Sequence, residues 1–128
     1  MLLLVNIVPH IDVLPSGIVA QPPPLDTSGE NLIVIRLTMS GKEYLEPKYL
    51  YYQLLSLYHA KVFHSLARDA DQQYITVEAV KFLKVGPFPL GELAEVFIKQ
   101  TRPSQPGDIF LVRVHDDPDQ LGFPYFVE

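Results

Sequence analysis

His115-Asp116-Asp117-Pro118-Asp119 places four groups able to hold a cation in one short run. Oxygen-rich clusters of this kind suit Mg²⁺ or Ca²⁺. The run lacks the spacing and the glycine of an EF-hand loop, so it reads as a solvated acidic turn. His59 and His64 lie five positions apart, which on a helix separates them by about 140°. They therefore do not share a metal as histidines at i and i+4 do. His10 and Asp12 fall on one side of an extended segment, the relation of a general base to an orienting carboxylate. Chance local polarity is the simpler reading of that pair. Glu78 and Lys81 resemble the paired acid and lysine of metal nucleases only loosely, because their spacing is wrong. No serine stands in a Gly-x-Ser-x-Gly elbow, and there is no phosphate-cradling or dinucleotide glycine motif. No catalytic or metal-ligating residue is assigned, and no cofactor is expected.

Cysteine is absent, which removes disulfides, thiolate zinc sites, iron–sulfur clusters and a thiol nucleophile from this sequence. Fifteen acids against ten bases leave a net charge of −5. A general nucleic-acid binder needs a cationic surface to displace phosphate counterions, so nucleic acid is an unfavoured partner. Anionic membrane surfaces are disfavoured for the same reason. No apolar run approaches the roughly 18 to 20 residues needed to cross a bilayer. The opening Met1–Val8 run has no basic flank and is broken by Asn6, and it reads as a first strand rather than a signal peptide. The default expectation is a soluble, cytoplasmic protein.

At 128 residues and 48% hydrophobic composition, the chain has the size and apolar content of one domain spanning 1–128. Twelve prolines punctuate it and mark element boundaries. Residues 2–8 read as a strand, and 11–20 as a small hairpin around Pro15-Ser16-Gly17. Residues 21–31 form a proline-rich loop. Leu32–Met39 opens with four apolar residues in succession, the mark of a central strand buried on both faces. Ser40-Gly41-Lys42 then reads as a turn. Pro47 to about Ala67 is the clearest helix, with Pro47 in its first turn. Residues 74–85 fit two readings. Tyr74, Ile75, Thr76 and Val77 favour a strand, which is preferred, but Thr76 would also cap a helix. Pro89–Gln100 reads as a second helix, Asp108–Val114 as a strand, and 115–128 as an acidic, aromatic tail. The expected fold is α+β: a mixed sheet of about four to six strands with two main helices on one face.

These elements decide which side chains carry information. On a helix starting at Pro47, Leu50, Tyr51, Leu54, Leu55, Leu57, Tyr58 and Val62 form the core face. The opposite side presents Tyr49, Tyr52, Ser56, His59 and Phe63 where charge is usual. Tyr52, Ser56, His59 and Phe63 align at i, i+4, i+7 and i+11. Tyrosine, phenylalanine and histidine combine apolar area with a polar handle and suit an interface. Phe123, Tyr125 and Phe126 give the tail the character of a docking segment. The expected function is that of a non-catalytic interaction or regulatory protein, or a subunit of an assembly, with a protein partner or a second copy bound at these eight residues. Two alternatives stand beside it. One is a small-molecule-binding protein or enzyme with a pocket near His59. The other is a helix–turn–helix-like protein, should 76–85 be helical, although Glu92 and Glu95 on the second helix would repel phosphate.

Overall fold

Four apolar residues in succession, Leu32-Ile33-Val34-Ile35, set the centre of the molecule, and the computed structural model places them as expected. It describes residues 7–8, 31–69 and 72–128. The early elements are β1 (Ile7–Val8), β2 (Leu32–Leu37), α1 (Met39–Tyr44), α2 (Pro47–His59) and α3 (Val62–Ser65). Then come β3 (Gln73–Tyr74), α4 (Val77–Lys81), β4 (Lys84–Val85), β5 (Phe88–Pro89), α5 (Leu90–Leu93) and β6 (Ala94–Ile98). The chain closes with β7 (Ile109–Val112), β8 (Val114–His115), a 3-10 turn at Pro118–Gln120 and β9 (Pro124–Val127). The main sheet runs β1-β9-β7-β2-β6, with small two-stranded pairs β3–β8 and β4–β5. The fold is α+β. Every described strand pairing is antiparallel, where a mixed sheet was expected. The hairpin expected over 11–20 and the loop expected up to residue 30 lie outside the described residues.

Alternation along the strands divides the interior in two. Ile33, Ile35, Leu37, Val96, Ile109, Leu111 and Phe126 join the helices in the larger core, around Leu50, Tyr51, Leu54, Phe63, Val80 and Leu90. Leu32, Val34, Phe110, Val112, Tyr125 and Val127 form a second cluster with Phe97 and Phe123 packed on it. Beside it, Arg36 donates from Nε to Asp108 Oδ1 and from Nη2 to Oδ2, both at 2.9 Å. That two-pronged ion pair satisfies the one buried charged side chain among the described residues.

Three local readings need correction, each for an identifiable reason. β2 stops at Leu37 because Thr38 caps a helix: its hydroxyl accepts from the Gly41 amide at 3.0 Å. Residues 74–85 are not one strand. Thr76 accepts from the Ala79 amide at 3.1 Å and starts α4, and the chain then turns into β4. The second main helix is mostly a strand. Only Leu90–Leu93 is helical, and Ala94–Ile98 pairs with β2 from Leu37↔Ala94 to Ile33↔Ile98. Ala94 and Val96 turn inward while Glu95 is exposed, a period of two that cross-strand pairing selects over the i, i+3, i+4 stripe of Leu90, Leu93, Ala94 and Phe97. α2 is thus the single long helix among the described residues. The helix–turn–helix geometry is absent, since α4 and α5 are separated by the β4–β5 hairpin and α5 is one turn long.

Candidate functional site

The helix expected over 47–67 breaks after His59. Ala60 caps α2 and Lys61 takes a left-handed conformation, φ 64°. That turn redirects α3, so Phe63 leaves the outward stripe and enters the core with no exposed surface. The backbone at Gly122, φ 80°, lies directly over the Phe63 ring, and a Cβ there would sit 2.1 Å from Phe63 Cγ. Phe63 is therefore a packing residue, not part of a binding face.

The aromatic tail is likewise part of the fold. β9 pairs with β7 through Ile109↔Phe126, Phe110↔Tyr125 and Leu111↔Pro124, and its other edge pairs with β1. Pro124 stands at the first strand position, where its missing N–H costs least. Tyr125 and Phe126 are buried and Phe123 is half-buried. Tyr51 packs edge-on against Phe126, and its hydroxyl donates to the Pro124 carbonyl at 3.3 Å. Tyr58 packs against Phe123, and its hydroxyl donates to the Asp119 carbonyl at 2.8 Å. Burial pushes the Tyr125 phenol far above its ordinary range, aided by the Tyr51 and Tyr58 hydroxyls. Burial also raises Tyr58, with Asp119 and Asp117 adding to the effect.

The acidic run is occupied in the same structural work. Asp119 accepts from His64 Nδ1 at 2.8 Å and from Lys61 Nζ at 3.2 Å, and these contacts hold its carboxyl below the ordinary aspartate range. Asp117 caps the 3-10 turn by accepting from the Asp119 amide. His115 accepts from the Asp117 amide and Asp116 from Gln72. Among the described residues no three His, Asp or Glu side chains converge on a metal position. Glu78 and Lys81 lie exposed on α4, not on a strand. His10 and Asp12 lie outside the described residues.

What stays on the outside of α2 is Tyr49, Tyr52, Ser56 and His59. Tyr49 is 57% and Tyr52 47% exposed, and Ser56 and His59 are exposed as well. The Tyr52 ring meets Tyr51 edge-on, and His59 meets Tyr58.

Beside this face lies a cleft that the sequence did not announce. It is about 230 Å³ and lies between α2 and the β4–β5 hairpin, lined by Gln53, Leu54, Ser56, Leu57, Lys84 and Val85. Gly86 at φ 61° and Pro87 form the two-residue hairpin loop. Tyr44 holds the hairpin from its other side, edge-on to Phe88 at 5.0 Å and with its hydroxyl over Gly86. Gln53, one of the lining residues, has its Oε1 buried out of contact with solvent and without a hydrogen-bond partner. Ser104 Oγ is the other such buried side-chain atom among the described residues. No carboxylate among the described residues pairs with Lys84. His59, around which a pocket was expected, is not among the lining residues. Val85-Gly86-Pro87 signals the turn in the sequence, but nothing in the residue pattern reports an amide left without a partner.

No protein-family model matches the chain, and searches of the curated proteins and of the solved structures found no significant match. No helix among the described residues is long and apolar enough to cross a membrane.

Proposed function

We propose that this chain is a non-catalytic interaction protein, regulatory or a subunit of an assembly, that binds a protein partner or a second copy of itself along the exposed face of α2. Tyr49, Tyr52, Ser56 and His59 form that face, and the adjoining cleft extends it. The observation that carries the reading is the pair of half-exposed tyrosines on the outer side of a helix whose inner side fills the core. Tyrosine is over-represented among residues that dominate binding energy, because it offers a large rigid contact at low entropic cost. Phe63, Phe123, Tyr125 and Phe126 leave the proposed surface, since they are committed to the interior or to contacts within the chain. A soluble, cytoplasmic setting belongs to the same proposal. A small-molecule-binding protein or enzyme is the second reading, favoured by the cleft that Gln53, Ser56 and Lys84 line beside α2.

Native mass spectrometry of the protein taken from its own cells tests the two readings together. Added protein mass, as a second copy or a foreign chain, is the expected result. A bare 14.5 kDa chain contradicts the interaction reading, and a chain carrying only small extra mass replaces it with the second.

A further inference from the structure

β6 is the border strand of the main sheet, and no strand among the described residues pairs with its outer side. The ladder decides which of its backbone groups face outward. The Thr38 amide donates to the Leu93 carbonyl, and the Lys99 amide to the Leu32 carbonyl. Odd-numbered residues along β6 therefore direct their N–H and C=O groups to β2. Val96 and Ile98 direct theirs outward, and no described residue bonds them. A row of unpaired strand groups is a template for another strand. β6 has neither a proline nor a bulge to blunt it.

The side chains select the strand that fits. Glu95 and Lys99 stand two positions either side of Phe97, on one face of the sheet. Neither has an ion-pair partner among the described residues, and Arg36, opposite Glu95, is committed to Asp108. A copy of β6 laid antiparallel, Phe97 beside Phe97, brings each Glu95 opposite the other copy's Lys99. In that register Val96 of one copy and Ile98 of the other exchange hydrogen bonds. Charges that blunt the border against unrelated strands are thus matched by the chain's own sequence, as an isologous contact requires. Arg102, over the Phe97 ring at 4.3 Å, adds positive charge near the axis.

We propose that two copies of this chain join through β6, antiparallel and centred on Phe97, continuing the five-stranded sheet from one copy into the other. The surface is separate from the α2 face, and its occupant is a second copy. A further feature agrees with it. α4 packs against β6 and α5 and ends at Phe82, which is 75% exposed. Joined sheets bring the two α4 helices to one side of the joint, where that ring finds cover.

Sedimentation equilibrium of the full chain tests this. The mass is expected to rise with concentration from 14.5 kDa toward twice that value. Lys99→Glu and Glu95→Lys each set like charges opposite one another at two places in the interface. Each should weaken self-association about tenfold, and the double variant, which exchanges the charges, should restore it. Ile98→Pro removes an outward amide that β2 does not use and should abolish self-association, since a border strand tolerates proline. Urea midpoints near the wild type identify the variants that remain folded, and the charge exchange decides the matter if Ile98→Pro is not among them. A chain that stays at 14.5 kDa up to about 1 mM overturns the proposal. Self-association indifferent to both single reversals overturns it as well, and loss that the double variant does not restore overturns the register. Self-association lost in Tyr52→Ala but retained in Lys99→Glu places the second copy on the α2 face and overturns β6.

Discussion

The two flanks of α2 meet the rest of the chain in opposite ways. Toward the C-terminal segment, Tyr51 and Tyr58 pack against Phe126 and Phe123, and each hydroxyl finds a backbone carbonyl. The same flank has Phe63 pressed beneath Gly122, and at its surface Asp119 accepts from Lys61 and His64. Toward the hairpin, the helix leaves a cleft, with Gln53 Oε1 buried without a donor and, among the described residues, no carboxylate paired with Lys84. Among the described residues, contacts are dense on the first flank and sparse on the second. Buried polar groups are hydrogen-bonded as a rule, so Gln53 Oε1 is an exception among the described residues.

That contrast predicts opposite responses to mutation. The largest effects belong to the closed flank. Gly122→Ala forces a Cβ into the Phe63 ring at a left-handed φ, and it is expected to cost about 4 kcal/mol or more. Phe63→Ala opens a core cavity and should cost about 3 to 5 kcal/mol. Urea unfolding of both variants checks this, and losses under about 1 kcal/mol would show that the flank is not closed by this contact.

On the open flank, Gln53→Leu should go the other way. Replacing a side chain whose carboxamide oxygen is buried unsatisfied with a similar-sized apolar one is expected to raise the urea midpoint by the equivalent of about 1 kcal/mol. A destabilised variant would mean that the amide is satisfied within the chain.

A smaller effect concerns acid. Asp119 has a lowered folded pKa, set first by its hydrogen bond from His64 and then by that from Lys61. Its contribution is therefore complete above the ordinary aspartate pKa and is lost as pH falls through the lowered value. Thermal melts across that acid window should show a steeper drop for the wild type than for Asp119→Asn. Parallel curves would leave the contact without influence on stability.

The smallest stability change is expected at Tyr49→Ala. This exposed position should stay within about 0.5 kcal/mol of the wild type by urea unfolding, so that any loss of association is a loss of contact and not of fold.

The fold class, the central strand at 32–37 and the core face of α2 are legible in the sequence because each rests on hydrophobic periodicity. The errors fall where tertiary contact overrides it. Ala94–Ile98 carries a helical stripe by coincidence, and pairing with β2 settles it as a strand. The outward stripe from Tyr52 to Phe63 assumes an unbroken helix, and the left-handed Lys61 is not encoded by glycine or proline. The tail looks like a docking segment because its aromatics are many, yet β7 offers them an edge to pair with. Of the expected binding residues, Tyr49, Tyr52, Ser56 and His59 remain on the surface. Gln53 and Lys84, which line the cleft, escape notice because a buried oxygen without a donor is a fact of three-dimensional packing.

The most direct test places a photo-cross-linking phenylalanine analogue at position 52 or, as an exposed control off the proposed face and beside Asp119, at position 61. The chain is irradiated in its own cells. Position 52 is predicted to form a covalent adduct with a protein, whether a second copy or a foreign chain, while position 61 forms none. An adduct at 61 alone, or none at either position, would contradict the assignment of the exposed α2 face as the interaction surface.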